Sequence, residues 1–137
     1  MFQKSNDSLF EEIAEIEKEN FSDAWSLELI KDSFKYGYNR LLTVESENGL
    51  AGYLIYSVLD VFELQRIAVR ESERRKGYAD KLMQALLAAT NGRIILEVRS
   101  RNIPAISLYN KYGFKEIGVR RSYYTDPVDD AVIMELV

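Results

Sequence analysis

The chain has 137 residues, 47% hydrophobic and 29% charged, the balance of one soluble domain with enough chain to bury a core. It has no cysteine and no histidine, which removes disulfides, thiolate nucleophiles, Cys-based zinc sites and the commonest general base; catalysis would fall to carboxylates, Tyr, Lys, hydroxyls, backbone groups or water. A net charge of −4 argues against nucleic-acid binding through a broad positive face and suits either a basic substrate or plain solubility.

Residues 1–6 read as a short strand or a loose end. No apolar run reaches membrane-spanning length and MFQKSNDSLF lacks a signal-peptide core, so a cytoplasmic protein without membrane contact is expected. Ser8-x-x-Glu11 is a capping-box pattern, and Phe10, Ile13, Ala14 and Glu17 follow it at helical spacing. A second helix is expected over residues 26–36, with Leu27, Ile30 and Phe34 inside and Gly37 as its stop. The one Trp, Trp25, stands just before it, as a core or staple residue or in a loop lining a groove.

Residues 40–45 and 50–61 read as antiparallel strands around Asn48-Gly49, a hairpin signal inside a loop longer than two residues. Residues 62–69 continue as a strand. A charged turn leads into a helix whose Ala79, Leu82, Met83, Leu86 and Leu87 form a core-facing stripe, stopped by Asn91-Gly92. Residues 93–99 form a short apolar strand. Pro104 suits the first turn of a helix that reaches Tyr112 and ends at Gly113. Residues 114–123 and 131–136 complete the strands, with Thr125-Asp126-Pro127 between them. The alternation is mixed α/β in a single domain over residues 1–137, and nothing in it requires more than a monomer.

The turn before the third helix carries Arg74, Arg75, Lys76 and Gly77. A helix start offers unpaired N–H groups and the positive end of a dipole, and Gly77 permits close backbone approach. This can be an anion site or a solvated basic loop. It is neither a P-loop, since G-x-x-x-x-G-K-[ST] is absent, nor a Rossmann turn, which needs three glycines. Asp129-Asp130 is adjacent rather than spaced for coordination, so no metal is expected.

Arg74-x-x-Gly77-x-Ala79 after Ile67-Ala68-Val69 resembles the acetyl-CoA signature Q/R-x-x-G-x-G/A of the GNAT N-acetyltransferases. Leu96-Glu97-Val98-Arg99, Asn102, Ala105-Ile106, Leu108-Tyr109 and Gly113-Phe114 are similar to that family's second block. Arg120-Arg121-Ser122-Tyr123-Tyr124 and residues 130–134 resemble its RimI-type branch, the ribosomal-protein-alanine acetyltransferases. The resemblance implies an α+β fold with a mixed sheet of about seven strands, splayed in its middle and flanked by about four helices. The splay would fall between residues 64–69 and 93–99. Acetyl-CoA would lie in the V, against Ile67, Ala68 and Val69, with its pyrophosphate at Arg75, Lys76, Gly77, Tyr78, Ala79 and Asp80 and Arg74 as a further cofactor contact.

Acetyl transfer to an amine needs a base, a polariser of the thioester carbonyl and an acid for the departing thiolate. The resemblance assigns the base to Glu97, with Glu63 as the second candidate; either could instead be a solvated strand carboxylate. It assigns the acid to Tyr109, which could also be a packed aromatic, and a cofactor contact to Asn102, whose other role is capping. The backbone N–H of Val69 would polarise the carbonyl. Tyr123 and Tyr124 would wall the acceptor groove or serve as plain core or edge residues, and Arg120 and Arg121 read as surface charges. The implied partner is the N-terminus of a ribosomal protein beginning with alanine. A lysine side chain, a small amine, or a non-catalytic acetyl-CoA-binding module are the competing readings.

Overall fold

The computed structural model describes residues 6–137. The reading of residues 1–6 lies outside them, except for Asn6, where a helix begins. In chain order come helices α1 (Asn6–Asn20) and α2 (Leu27–Ser33) and strands β1 (Asn39–Ser46), β2 (Gly49–Val58) and β3 (Phe62–Val69). A 3-10 turn (Glu71–Glu73), helix α3 (Tyr78–Ala89), strand β4 (Ile94–Arg99), helix α4 (Ile103–Lys111) and strands β5 (Lys115–Tyr124) and β6 (Asp129–Leu136) follow.

The described strands form one mixed sheet of six, ordered β1-β2-β3-β4-β6-β5. The expected count of about seven included a strand among residues 1–6. All neighbours are antiparallel except β3 and β4, which are parallel and joined through α3, the crossover that a parallel pair requires. These two strands are in register only at Phe62↔Ile94, Glu63↔Ile95 and Leu64↔Leu96. Beyond that they part, β3 keeping β2 and β4 keeping β6. The register of β2 on β3 shifts between Ile55 and Tyr56, opposite Gln65. Such a bulge bends and twists a strand, and this one sits where β3 leaves β4. The splay therefore falls where the resemblance implied.

Helices cover both faces. Leu82, Met83 and Leu86 of α3 and Tyr109 of α4 pack with Leu54, Leu64, Ile94 and Leu96 on one. Ile13, Ile16 and Ile30 of α1 and α2 pack with Tyr53, Ile55 and Ala68 on the other. Burial on both sides explains the unbroken apolar run of β2.

Three local readings change. Helix α1 starts before Ser8, so Ser8-x-x-Glu11 lies within its first turns instead of capping it. Helix α2 is capped by Ser26, whose Oγ accepts from the Leu29 N–H at 3.1 Å, but it ends at Ser33, short of Tyr36. The hairpin of β1 and β2 closes with Ser46 opposite Gly49, leaving a two-residue loop in which the Asn48 N–H donates to Ser46 Oγ at 3.1 Å.

Candidate active site

The gap between β3 and β4 opens into two adjoining clefts of ≈ 360 Å³ and ≈ 260 Å³, which share Asn20, Phe21, Ile67, Asn102 and Ala105. The larger is lined by Ile67, Ala68 and Val69 of β3 and by Arg74, Arg75, Gly77, Tyr78, Ala79 and Asp80 at the start of α3. Lys76 lines neither cleft; its ammonium lies 3.3 Å from the carboxylate of Glu73.

The backbone of this cleft is set by strand alternation. The Arg70 N–H donates to Ala51 O at 2.7 Å, toward β2. Alternate residues face alternate neighbours in an antiparallel pair, so the N–H groups of Val69 and Ile67 point into the gap. The Val69 carbonyl lies on that side too, accepting from Asn20 Nδ2 at 3.2 Å. Asn20 Oδ1 in turn accepts from Arg74 Nη2 at 2.8 Å, tying the end of α1 to the turn.

The turn places Arg75 (φ +64°) and Gly77 (φ +83°) in the left-handed region, the local geometry of an anion-binding concavity. The first bond of α3 runs from the Lys81 N–H to Gly77 O at 3.1 Å, so the amides of Tyr78, Ala79 and Asp80 have no carbonyl of the helix to pair with. Arg75 makes no ion pair with any described residue. The carboxylate of Asp80 is engaged by Lys111 Nζ at 2.6 Å and Tyr112 OH at 2.7 Å. Those bonds hold it below the usual carboxylate range and commit its charge to α4. The resulting cradle fits a diphosphate in its donor set: backbone N–H groups, Arg75 and a glycine.

A Cβ on Gly77 would meet nothing within 4 Å, so it would project into open space at the cradle. Gly77→Ala, strained at φ +83° and intruding on the cradle, should therefore weaken binding of the acetyl-CoA that the resemblance implies about tenfold, equivalent to about 1.4 kcal/mol. Titration calorimetry with acetyl-CoA checks this; an unchanged affinity would remove the cradle.

The smaller cleft holds the polar groups suited to proton transfer. It is lined by Glu97 and Arg99 of β4, Tyr109 of α4, Gln65 and Arg66 of β3, Phe21 and Asp23 from residues 21–26, and Tyr124 and Pro127. Glu97 pairs with Arg120 Nε at 3.2 Å; Arg120 is exposed, as expected of a surface charge, and also borders the site through this pair. Tyr109 is buried with its ring 5.9 Å from that of Phe114, and its hydroxyl makes no hydrogen bond among the described residues. Burial, and after it the neighbouring Tyr124, push its pKa up, so it keeps its proton at neutral pH. Tyr124 is pushed up to about 12, first by burial and then by Glu97. The exposed ring of Tyr123 stands edge-on to it at 5.1 Å. Asn102 caps α4, its Oδ1 accepting from the Ala105 N–H at 3.3 Å, while it lines both clefts.

Glu63 lines neither cleft and lies opposite Ile95, before the strands part. Partial burial raises its pKa, and Glu97 raises it further. A raised carboxylate pKa means that the charged form is less favourable in the fold, so this group costs stability above the raised value. The cost fades as pH falls through that value and is absent below the ordinary carboxylate range. Glu63→Gln should thus raise Tm at pH 7, with the gain vanishing as pH falls to that range; melts across pH measure it.

Under the wall formed by residues 21–26 lies a cluster that sequence patterning did not assemble. Glu17, fully buried, accepts from the Trp25 N–H at 2.8 Å, from Arg66 Nη2 at 2.8 Å and from the Tyr53 hydroxyl. The Arg66 guanidinium lies 4.0 Å from the ring centre of Phe21 and 4.9 Å from that of Trp25. Among the described residues no group of three or more acidic side chains is placed to hold a metal, and no helix is long and apolar enough to cross a membrane.

Residues 8–114 match the acetyltransferase (GNAT) family. The chain is 34% identical over 134 residues to the [ribosomal protein bS18]-alanine N-acetyltransferase of Haemophilus ducreyi, covering 93% of this chain and 92% of that one. The crystal structure of the ribosomal-protein-S18-alanine N-acetyltransferase from Escherichia coli superposes with a TM-score of 0.85 at 29% identity, over 98% of this chain and 90% of that one. Ard1 from Thermoplasma volcanium shares the fold, with a TM-score of 0.88 at 24% identity over 98% of this chain and 94% of its own.

Proposed function

The chain belongs to the GNAT acetyltransferase family, whose donors are acyl-CoA thioesters, and from that premise we propose that it acetylates the N-terminal alanine amine of a ribosomal protein with acetyl-CoA. The observation that carries the reading is the joining of two clefts at the parting of β3 and β4. One presents amides and a basic turn, and the other presents Glu97 and a protonated Tyr109.

Acetyl-CoA supplies the activated acyl group. The amides of Tyr78, Ala79 and Asp80, with Arg75, hold its diphosphate, and the cleft-facing edge of β3 aligns its thioester end. The Val69 N–H donates to the carbonyl oxygen as negative charge develops there. Glu97 takes the proton from the acceptor amine, directly or through water. The amine nitrogen bonds to the acetyl carbon, the carbon–sulfur bond breaks, and Tyr109 gives its proton to the sulfur. Tyr123 and Tyr124 wall the groove that receives the peptide.

Purified protein mixed with acetyl-CoA and an Ala-initiated peptide from a ribosomal protein should release free thiol and acetylate the α-amine. Turnover on lysine side chains or small amines, with none on that peptide, would replace the acceptor. Acetyl-CoA binding without any turnover would make the protein a non-catalytic module.

A further inference from the structure

We propose that Arg66 and Arg99 are positioning residues that set the width of the acceptor groove and so restrict it to amines borne on a small residue. The inference deepens the acceptor reading above and rests on it for the peptide's chemistry. The two arginines stand on β3 and β4, one on each side of the parting, and each reaches a different wall in the same manner. Arg66 stacks on Phe21 and Trp25 and donates from Nη2 to Asp23 O at 3.1 Å, fixing the wall of residues 21–26. Arg99 lies 4.4 Å from the ring centre of Tyr124 and donates to Pro127 O at 2.8 Å and Thr125 O at 3.3 Å, fixing the opposite wall.

Glu97 of β4 lines the same cleft as Phe21 of one wall and Tyr124 and Pro127 of the other. The cleft there is ≈ 260 Å³, near the lower end of ordinary small-molecule pockets, and it must also receive the acetyl group. A planar fork that stacks on a ring and donates to two oxygens at once, Glu17 Oε1 and Asp23 O for Arg66 and two loop carbonyls for Arg99, holds a loop in a way that a lysine ammonium does not. Simple rigidity would serve stability alone. Here both fixed walls carry an aromatic ring, Phe21 or Tyr124, that lines the cleft, so moving either wall changes the cleft's size.

The test uses Arg66→Lys and Arg99→Lys, which keep the charge, the first retaining a counterion for Glu17. Acceptor peptides beginning with Gly, Ala, Val or Met are compared with primary amines of rising bulk, and amide hydrogen exchange is followed in both walls. Each variant should speed exchange in its own wall only, residues 21–26 or 125–128, with β2 still protected. The Ala-over-Met ratio of kcat/KM should fall about tenfold, the discrimination that a methylene or two of pocket shape carries, while the KM for acetyl-CoA stays unchanged. An unchanged ratio, or unchanged exchange in the variant's own wall, would overturn the proposal. If wild type acetylates primary amines but no peptide, the acceptor reading fails, and the size series among amines decides the groove.

Discussion

Glu97→Gln is expected to lower kcat by about 10²–10⁴-fold, the range for losing a positioned general base. Glu97 is the strand carboxylate, on β4, that lines the cleft also lined by Tyr109, and the amide replacing it keeps its shape and cannot accept the amine's proton. Acetyl-CoA affinity should stay at the wild-type value, because the cradle at the start of α3 belongs to the other cleft. Stopped-flow thiol release gives kcat, and calorimetry gives the affinity. A variant with wild-type kcat would remove Glu97 from the mechanism; Glu63, whose pKa is raised by burial and by Glu97, would then be the carboxylate to replace next.

Glu17→Ala should cost about 3–5 kcal/mol of stability, the effect of removing one partner of a buried ion pair. The truncation leaves Arg66 without its 2.8 Å counterion and the Tyr53 hydroxyl and Trp25 N–H without their acceptor. A loss of that size is a large share of the roughly 5–15 kcal/mol that holds a domain together, so the variant should unfold at much lower denaturant. Glu17→Gln, which keeps an acceptor but not the charge, should fall between the two. Equal midpoints for all three proteins would mean that the cluster contributes nothing to the fold.

The strand–turn–helix unit around the cradle was legible because each of its parts has a local code. Strand β3 ends where its apolar run gives way to charge, the turn needs Gly77 at positive φ, and the stripe of α3 repeats at helical spacing. The parting of β3 and β4, and the placing of Glu97 and Tyr109 on one cleft, followed from family resemblance, since no periodicity encodes where parallel strands separate.

The cluster beneath residues 21–26 was only half visible. Glu17 stands at helical spacing with Phe10, Ile13 and Ala14, and the structure buries it fully beside Ile13. Which partners it takes is a matter of tertiary pairing: Tyr53 and Arg66 lie 36 and 49 positions away. The same distance problem hid Arg120 beside Glu97 and the hold of Arg99 on residues 125–127. Lys76, expected as a cofactor contact from its place in the turn, lines neither cleft, and its ammonium lies 3.3 Å from the buried carboxylate of Glu73, a pairing that local patterning does not encode.

Amide hydrogen exchange, followed residue by residue as acetyl-CoA is added, tests most directly that the donor lies in the opening between β3 and β4. The amides of Ile67, Val69, Tyr78, Ala79 and Asp80 should slow markedly at saturation, while those at the Glu47-Asn48 turn keep their rates. Unchanged rates at the first five, with acetyl-CoA demonstrably bound, would contradict the account.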